Sequence, residues 1–181
     1  TVGGGTRTAE LTLPGFRHDV CSAIHTVGAA SPFFRQLSLE QYGLEWIFPP
    51  VEAAHPLDGG KAVLLHRSVE QTAQGLGADG PAYQRIFTPL VKNQAKIAHD
   101  LLGPLPLPPR HPLAMAQFGL YAIRSATGLA NQYFKSPAAR ALFGGFSAHS
   151  IQPLEAWSTA GVGVTLQLFA HGVGMPLARG G

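Results

Sequence analysis

At 181 residues the chain is long enough for one domain, or one and a part, with a real core. Apolar residues reach 45 %, which excludes disorder, while charged residues make up only 13 %, half the usual ~25 %. The formal charge of +3 is scattered and no Lys/Arg cluster alternates with aromatics, so a nucleic-acid partner is excluded despite a pI near 9.3.

So few ions cannot coat a whole surface. A sizeable apolar face is therefore expected to meet a further part of the protein, a twin subunit or a greasy ligand, which leaves a homodimer open. Cys21 is the single cysteine, which rules out an internal disulfide and fits a reducing, cytoplasmic compartment. The longest apolar run, Ala160 to Ala170, is interrupted by Gln167 and falls short of the ~20 residues that span a bilayer. At most, peripheral membrane contact is expected.

The chain opens on the glycine loop Thr1-Val2-Gly3-Gly4-Gly5-Thr6-Arg7-Thr8. Glycines let a backbone approach a ligand, commonly a phosphate, because no Cβ stands in the way. Such loops sit between a strand and a helix. None precedes this one, so the chain reads as an internal piece of a larger protein. Glu10 to Leu13 alternates as a strand, Pro14-Gly15 turns, and Phe16 to Ile24 reads as a second extended segment. Ser31-Pro32 is a helix start, and Ser38-Leu39-Glu40-Gln41 has capping-box spacing with Gly43 as the stop.

Leu44 to His55 reads as extended, with Pro49-Pro50 assigning part of it to a sheet edge. Asp58-Gly59-Gly60 predicts a hairpin turn and Lys61 to His66 the returning strand. From there the period is helical. Ser68-Val69-Glu70-Gln71 caps a short helix that Gly75 and Gly77 end. Asp79-Gly80-Pro81 starts a long one to Gly103, with Tyr83, Ile86, Phe87, Leu90, Ile97 and Leu101 on its apolar face and Pro89 as a kink. Gly103 to Pro112 is a proline-rich connector. Helices follow over 113–127, 136–146 and 158–172, the last apolar on nearly every side and expected to be buried all round. Strands first and helices after predict an α+β fold, with a small antiparallel or mixed sheet, an edge hairpin and a helical subdomain.

The eight histidines include no pair with metal-ligand spacing, and no metal site is expected. His18-Asp19 beside Cys21-Ser22 lacks a strand–turn–helix elbow, so hydrolase chemistry is not supported. Glu52, Asp58 and Glu70 sit by turns and helix starts, where capping and solvation account for them. No side chain stands out as a catalytic acid or base.

Taken together, several segments resemble the phytoene dehydrogenase-like FAD-dependent oxidoreductases of the flavin amine oxidoreductase superfamily. They are Val2 to Thr8, Leu13-Pro14-Gly15-Phe16-Arg17-His18-Asp19, Asp58-Gly59-Gly60 and Pro176-Leu177-Ala178-Arg179-Gly180-Gly181. The resemblance spans essentially the whole chain. It implies a fragment of a two-domain, Rossmann-type flavoprotein, with residues 1–30 as a remnant of the FAD-binding domain. Residues 31–175 would be the substrate-side domain and 176–181 the return to the FAD-binding domain.

In such proteins a G-x-G-x-x-G strand–loop–helix cradles the FAD pyrophosphate, and a second glycine pair approaches the cofactor. By this resemblance Gly3-Gly4 would be that second pair, and the first fingerprint would lie upstream of Thr1. Gly3, Gly4, Gly5, Arg7, Cys21 and Ser22 are the implied cofactor-side residues. Many relatives carry Arg directly after the glycine pair, where this chain has Gly5 and places Arg7 two positions later. His18-Asp19-Val20-Cys21-Ser22 stands where relatives have Phe-Asp-x-Gly-Pro against the flavin. The implied activity is hydride transfer from a lipophilic or amine-type substrate to FAD, with FAD not retained tightly by this chain alone. The alternatives are a non-catalytic binding or dimerisation module descended from such an enzyme, and a flavin-dependent isomerase.

Overall fold

A computed structural model describes residues 3–104 and 106–181, so Thr1 and Val2 of the glycine loop and Leu105 of the connector lie outside the described residues. The fold is α+β, with nine α-helices and small antiparallel strand pairs among the described residues. The strands do not join into one sheet. They form three separate two-stranded pairs, and no Rossmann-type unit is present among them.

The first pair joins β1 (Thr8–Glu10) to β2 (Arg17–Asp19), in the register Thr8↔Asp19. The first strand is displaced toward the N-terminus of its predicted span, Glu10 to Leu13, because residues 11–16 form the turn, and the second covers only Arg17–Asp19 of the predicted Phe16 to Ile24. The short helices α1 (Thr26–Ala30) and α2 (Pro32–Gln36) follow, and Ser31 Oγ caps α2 by accepting from the Phe34 N–H. The predicted capping box at Ser38 is absent. Ser38 is left-handed, with φ +46°, and opens a single 3-10 turn that Gly43 ends at φ +93°.

Next, β3 (Trp46–Ile47) pairs with β6 (Leu177–Ala178), the far end of the chain. The predicted hairpin is present: β4 (Ala53–Leu57) and β5 (Lys61–Leu65) run antiparallel around Asp58–Gly60, with Leu57↔Lys61 and Ala53↔Leu65 opposed.

Ser68 caps α3 (Val69–Gly75) through the Gln71 N–H at 3.2 Å. The long helix of the sequence divides into α4 (Gly80–Lys92) and α5 (Gln94–Leu101). Pro89 stays inside α4, and the break falls at Asn93. There the backbone N–H turns to Leu90 O at 3.0 Å while the side-chain amide donates to the Pro89 carbonyl at 3.2 Å.

The helix expected over 113–127 is two: α6 (Pro112–Ala122) and α7 (Ala126–Tyr133), the second capped by Ser125 through Gly128 N–H at 3.1 Å. After them come α8 (Pro137–Ser147), capped by Ser136, and α9 (Thr159–Gly172).

α9 is the axis of the helical part, packed by α1, α4, α6, α7 and α8. Tyr83, Phe87, Leu90, Leu129, Phe134, Leu142, Phe143, Val164, Leu168 and Phe169 meet there in a fully buried core. Burial is not complete around α9, however. Gly161, Val162, Thr165 and Leu166 are half-exposed along an apolar groove of about 420 Å³, closed on its other side by Val27, Leu101, Leu102 and Phe118.

Candidate functional site

The sequence-predicted residues lie at one pole, around the β1–β2 hairpin. Gly3–Gly5 form a tight turn closed by the Thr6 N–H on Gly3 O at 2.8 Å. Gly3 and Gly4 have φ of +82° and +56°, a region that other residues avoid. Arg7 leads into β1, and its carbonyl accepts from Val20 N–H at 2.9 Å, which extends the ladder by one step. That pairing draws Gly5 against Cys21: a Cβ on Gly5 would lie 3.3 Å from the Cys21 sulfur. Cys21 is free and exposed, and Ser22 is half-buried beside it. Gly4 differs from its neighbours. A Cβ there would meet nothing within 4 Å, so its backbone faces open space.

The other end of the chain comes to the same pole. Pro176 O accepts from His25 N–H at 2.9 Å, Arg179 N–H donates to Glu45 O at 2.9 Å, and the Arg179 guanidinium pairs with the Glu45 carboxylate. Gly180 and Gly181, also left-handed, reach the hairpin, where a Cβ on Gly181 would collide with the Thr8 side chain. Thr8, Ala9, Glu10, Arg17 and Gly180 line a polar cavity of about 370 Å³ between them. The hairpin itself is pinned by Thr8 Oγ1 donating to Asp19 at 2.6 Å and by the Thr12–His18 contact at 2.8 Å.

Sequence reasoning missed the burial of six polar side chains, which sit at four places. Glu52 is not a solvated turn residue: it is buried, and its carboxylate accepts the Met175 N–H, tying β4 to the segment that returns to the glycine pole. Asp79 does not cap its own helix. It accepts from the Lys135 and Ser136 N–H groups at 2.9 and 2.7 Å, across the start of α8. Burial alone would raise its pKa, but the hydrogen bonds from Ser136 and Lys135 outweigh that and hold it below the usual carboxylate range.

Tyr83, Gln167 and His171 form an enclosed cluster. The tyrosine oxygen stands 2.7 Å from His171 Nε2 and 3.0 Å from Gln167 Oε1. Burial depresses the His171 pKa to about 4, against the opposing bond to the Arg67 carbonyl. The only hint in the sequence is a pair of polar residues four apart on an otherwise apolar helix.

Asp100 collects the last cluster. Its carboxylate accepts the His111 N–H at 2.7 Å and faces the Nδ1 atoms of His99 and His111 at 3.4 and 3.2 Å. These three donor atoms lie within 4.8 Å of one another, a set that spacing along the sequence did not reveal. Arg110 decides its character. The guanidinium, which can only donate, sits 3.1 Å from His99 Nε2, so the His99 proton is on Nδ1 and points at Asp100. The cluster is therefore a carboxylate clamp joining the end of α5 to the start of α6. Burial pushes the Asp100 pKa up, and the three histidine hydrogen bonds bring it below its ordinary value.

Among the described residues, no helix is long and apolar enough to cross a membrane. Comparison with known proteins returns nothing: no protein family, no curated protein and no solved structure matches this chain.

Proposed function

We propose that this chain forms the substrate-side portion, with part of the cofactor-facing rim, of an FAD-dependent oxidoreductase of the phytoene dehydrogenase-like kind, working in a reducing compartment. The observation that carries the reading is the convergence of the two glycine segments. Gly3–Gly5 and Gly180–Gly181 lie at opposite ends of the sequence, are the parts the resemblance assigns to the FAD-binding domain, and meet at one hairpin. The open space over Gly4 fits the close approach of a dinucleotide, whereas Gly5 and Gly181 are glycine because Cys21 and Thr8 crowd them.

The flavin, when bound, supplies the hydride acceptor. This chain contributes orientation and water exclusion. The groove between α9 and Val27, Leu101, Leu102 and Phe118 suits a lipophilic or amine-type substrate with an apolar body.

The test is flavin content. Protein purified from the native gene is expected to carry a stoichiometric flavin absorbance band, and Gly4→Asn, whose side chain tolerates the left-handed backbone at this position, to lower FAD occupancy with little change in thermal stability. Colourless protein that fails to quench FAD fluorescence would sink the reading. A second reading, a dimerising module without a cofactor, is favoured by the exposed Leu11, Leu13, Phe16, Phe33 and Phe34 around the hairpin and α2. Light scattering separates the two, because a stable dimer that never takes up FAD supports the module.

A further inference from the structure

We propose that the outer face of α6, together with Trp157, docks on an anionic lipid surface. From Pro112 to Ala122 the helix carries no charge, and Gln117 is its one side chain with a strongly polar end apart from the Tyr121 hydroxyl. Its inner face already has a core to serve, with Ala114 and Phe118 buried. The opposite face bears Leu113, Ala116 and Leu120, with Ile123 one step beyond, at the 3-4-3 spacing that draws one narrow stripe along a helix.

Leu113 is 86 % exposed, Leu120 69 % and Ile123 57 %. Ser158 N–H bonds to Ile123 O, so the chain just before α9 lies against the end of α6 and sets Trp157, 83 % exposed, beside the stripe. An outward apolar stripe ending in a tryptophan is the anatomy of an interfacial helix, and its backbone groups are already paired within the helix.

Charge selects the occupant. Residues 101–154 contain no Asp or Glu, and Arg110 and Arg124 flank α6 on its two sides in sequence. Exposed Lys96 shares a surface cavity with Leu113 and Gln117. Asp100, close by, is buried and engaged by histidines, and Glu155, near Trp157, is an exposed carboxylate that Lys96, Arg110 and Arg124 outnumber. A second copy paired on this face through a two-fold axis would set these cations against their own images. A bilayer with anionic headgroups complements them and takes up the leucines at the acyl boundary.

Vesicle flotation tests the proposal, with phosphatidylcholine vesicles compared with vesicles that also contain phosphatidylserine. The chain is expected to float with the anionic vesicles, less so at high salt, and Trp157 emission to shift to shorter wavelength, a shift lost in Trp157→Phe. Leu113→Asp and Leu120→Asp are each expected to lower partitioning about tenfold. Lys96→Glu with Arg110→Glu is expected to remove the salt dependence. Melting curves check that the variants fold, and Leu113→Gln with Leu120→Gln serves if the aspartates do not. The proposal is overturned by failure to float with either vesicle, by folded stripe variants that float like the parent, or by light scattering that shows a dimer which these variants dissociate.

Discussion

Tyr83 has one hydroxyl proton and two acceptors to choose from, His171 Nε2 and Gln167 Oε1. Since His171 Nδ1 donates to the Arg67 carbonyl, the neutral ring needs the tyrosine proton on its other nitrogen, which is also the shorter contact. Around the ring stand the Phe87 face, the backbone of His66 and Arg67, and, farther off, the Glu70 charge, whose attraction is too weak to offset burial. A histidine with its folded pKa near 4 and its unfolded pKa near 6.5 is protonated first in the unfolded chain. Stability is therefore complete above pH ~6.5 and declines as pH falls toward 4, by roughly 3 kcal/mol in all. Below that, the depressed carboxyls of Asp79 and Asp100 add their own loss. Urea unfolding across this range checks it, and His171→Gln is expected to flatten the curve between pH ~6.5 and 4. A parent curve that is flat there would show that the ring is not buried neutral. Tyr83→Phe, which takes the donor from His171 Nε2, is expected to cost about 1–3 kcal/mol at neutral pH.

Between elements, α8 approaches α9 closely, where a Cβ on Gly163 would strike the Ser147 hydroxyl and lie 3.2 Å from the Ser147 backbone nitrogen. Gly163→Ala is expected to cost roughly 2–3 kcal/mol despite its better helix propensity, and Ser147→Gly to recover part of that in the double variant. Full additivity of the two in denaturant unfolding would disprove the contact. The caps at Ser31 and Ser68 were legible because a cap is local chemistry. The division between α6 and α7 was not. It contains no proline or glycine, and its cause is tertiary: Ser158 N–H and Ala160 N–H take the Ile123 and Arg124 carbonyls that a continuous helix would have kept. Asp79 misled for the same reason, since a carboxylate before a helix reads as its cap while this one serves α8. Asp79→Ala is expected to cost about 1–3 kcal/mol, and its hydrogen-exchange signature should appear at the start of α8 rather than of α4.

At the scale of the whole molecule, proximity within the glycine pole was partly legible, because a hairpin turn at Pro14-Gly15 brings Arg7 and Cys21 together. The return of residues 176–181 was not legible from periodicity, for it rests on contacts more than a hundred residues apart in sequence. The buried Glu52 carboxylate on Met175 N–H, the His25–Pro176 bond and the β3–β6 pair are the fastenings. Glu52 ties through a buried side chain, unlike the exposed Arg179–Glu45 pair, and its backbone also extends the hairpin ladder through Leu65 O at 2.9 Å. Glu52→Ala leaves the Met175 N–H without its carboxylate, at a cost of about 1–3 kcal/mol. If the pole is held as described, hydrogen exchange in that variant speeds up at residues 44–48 and 173–181 together, while α4 and the middle of α9 keep their protection. Uniform loss of protection would instead make Glu52 an ordinary core residue. Unchanged exchange at 173–181 would mean that the two glycine segments are held together without it.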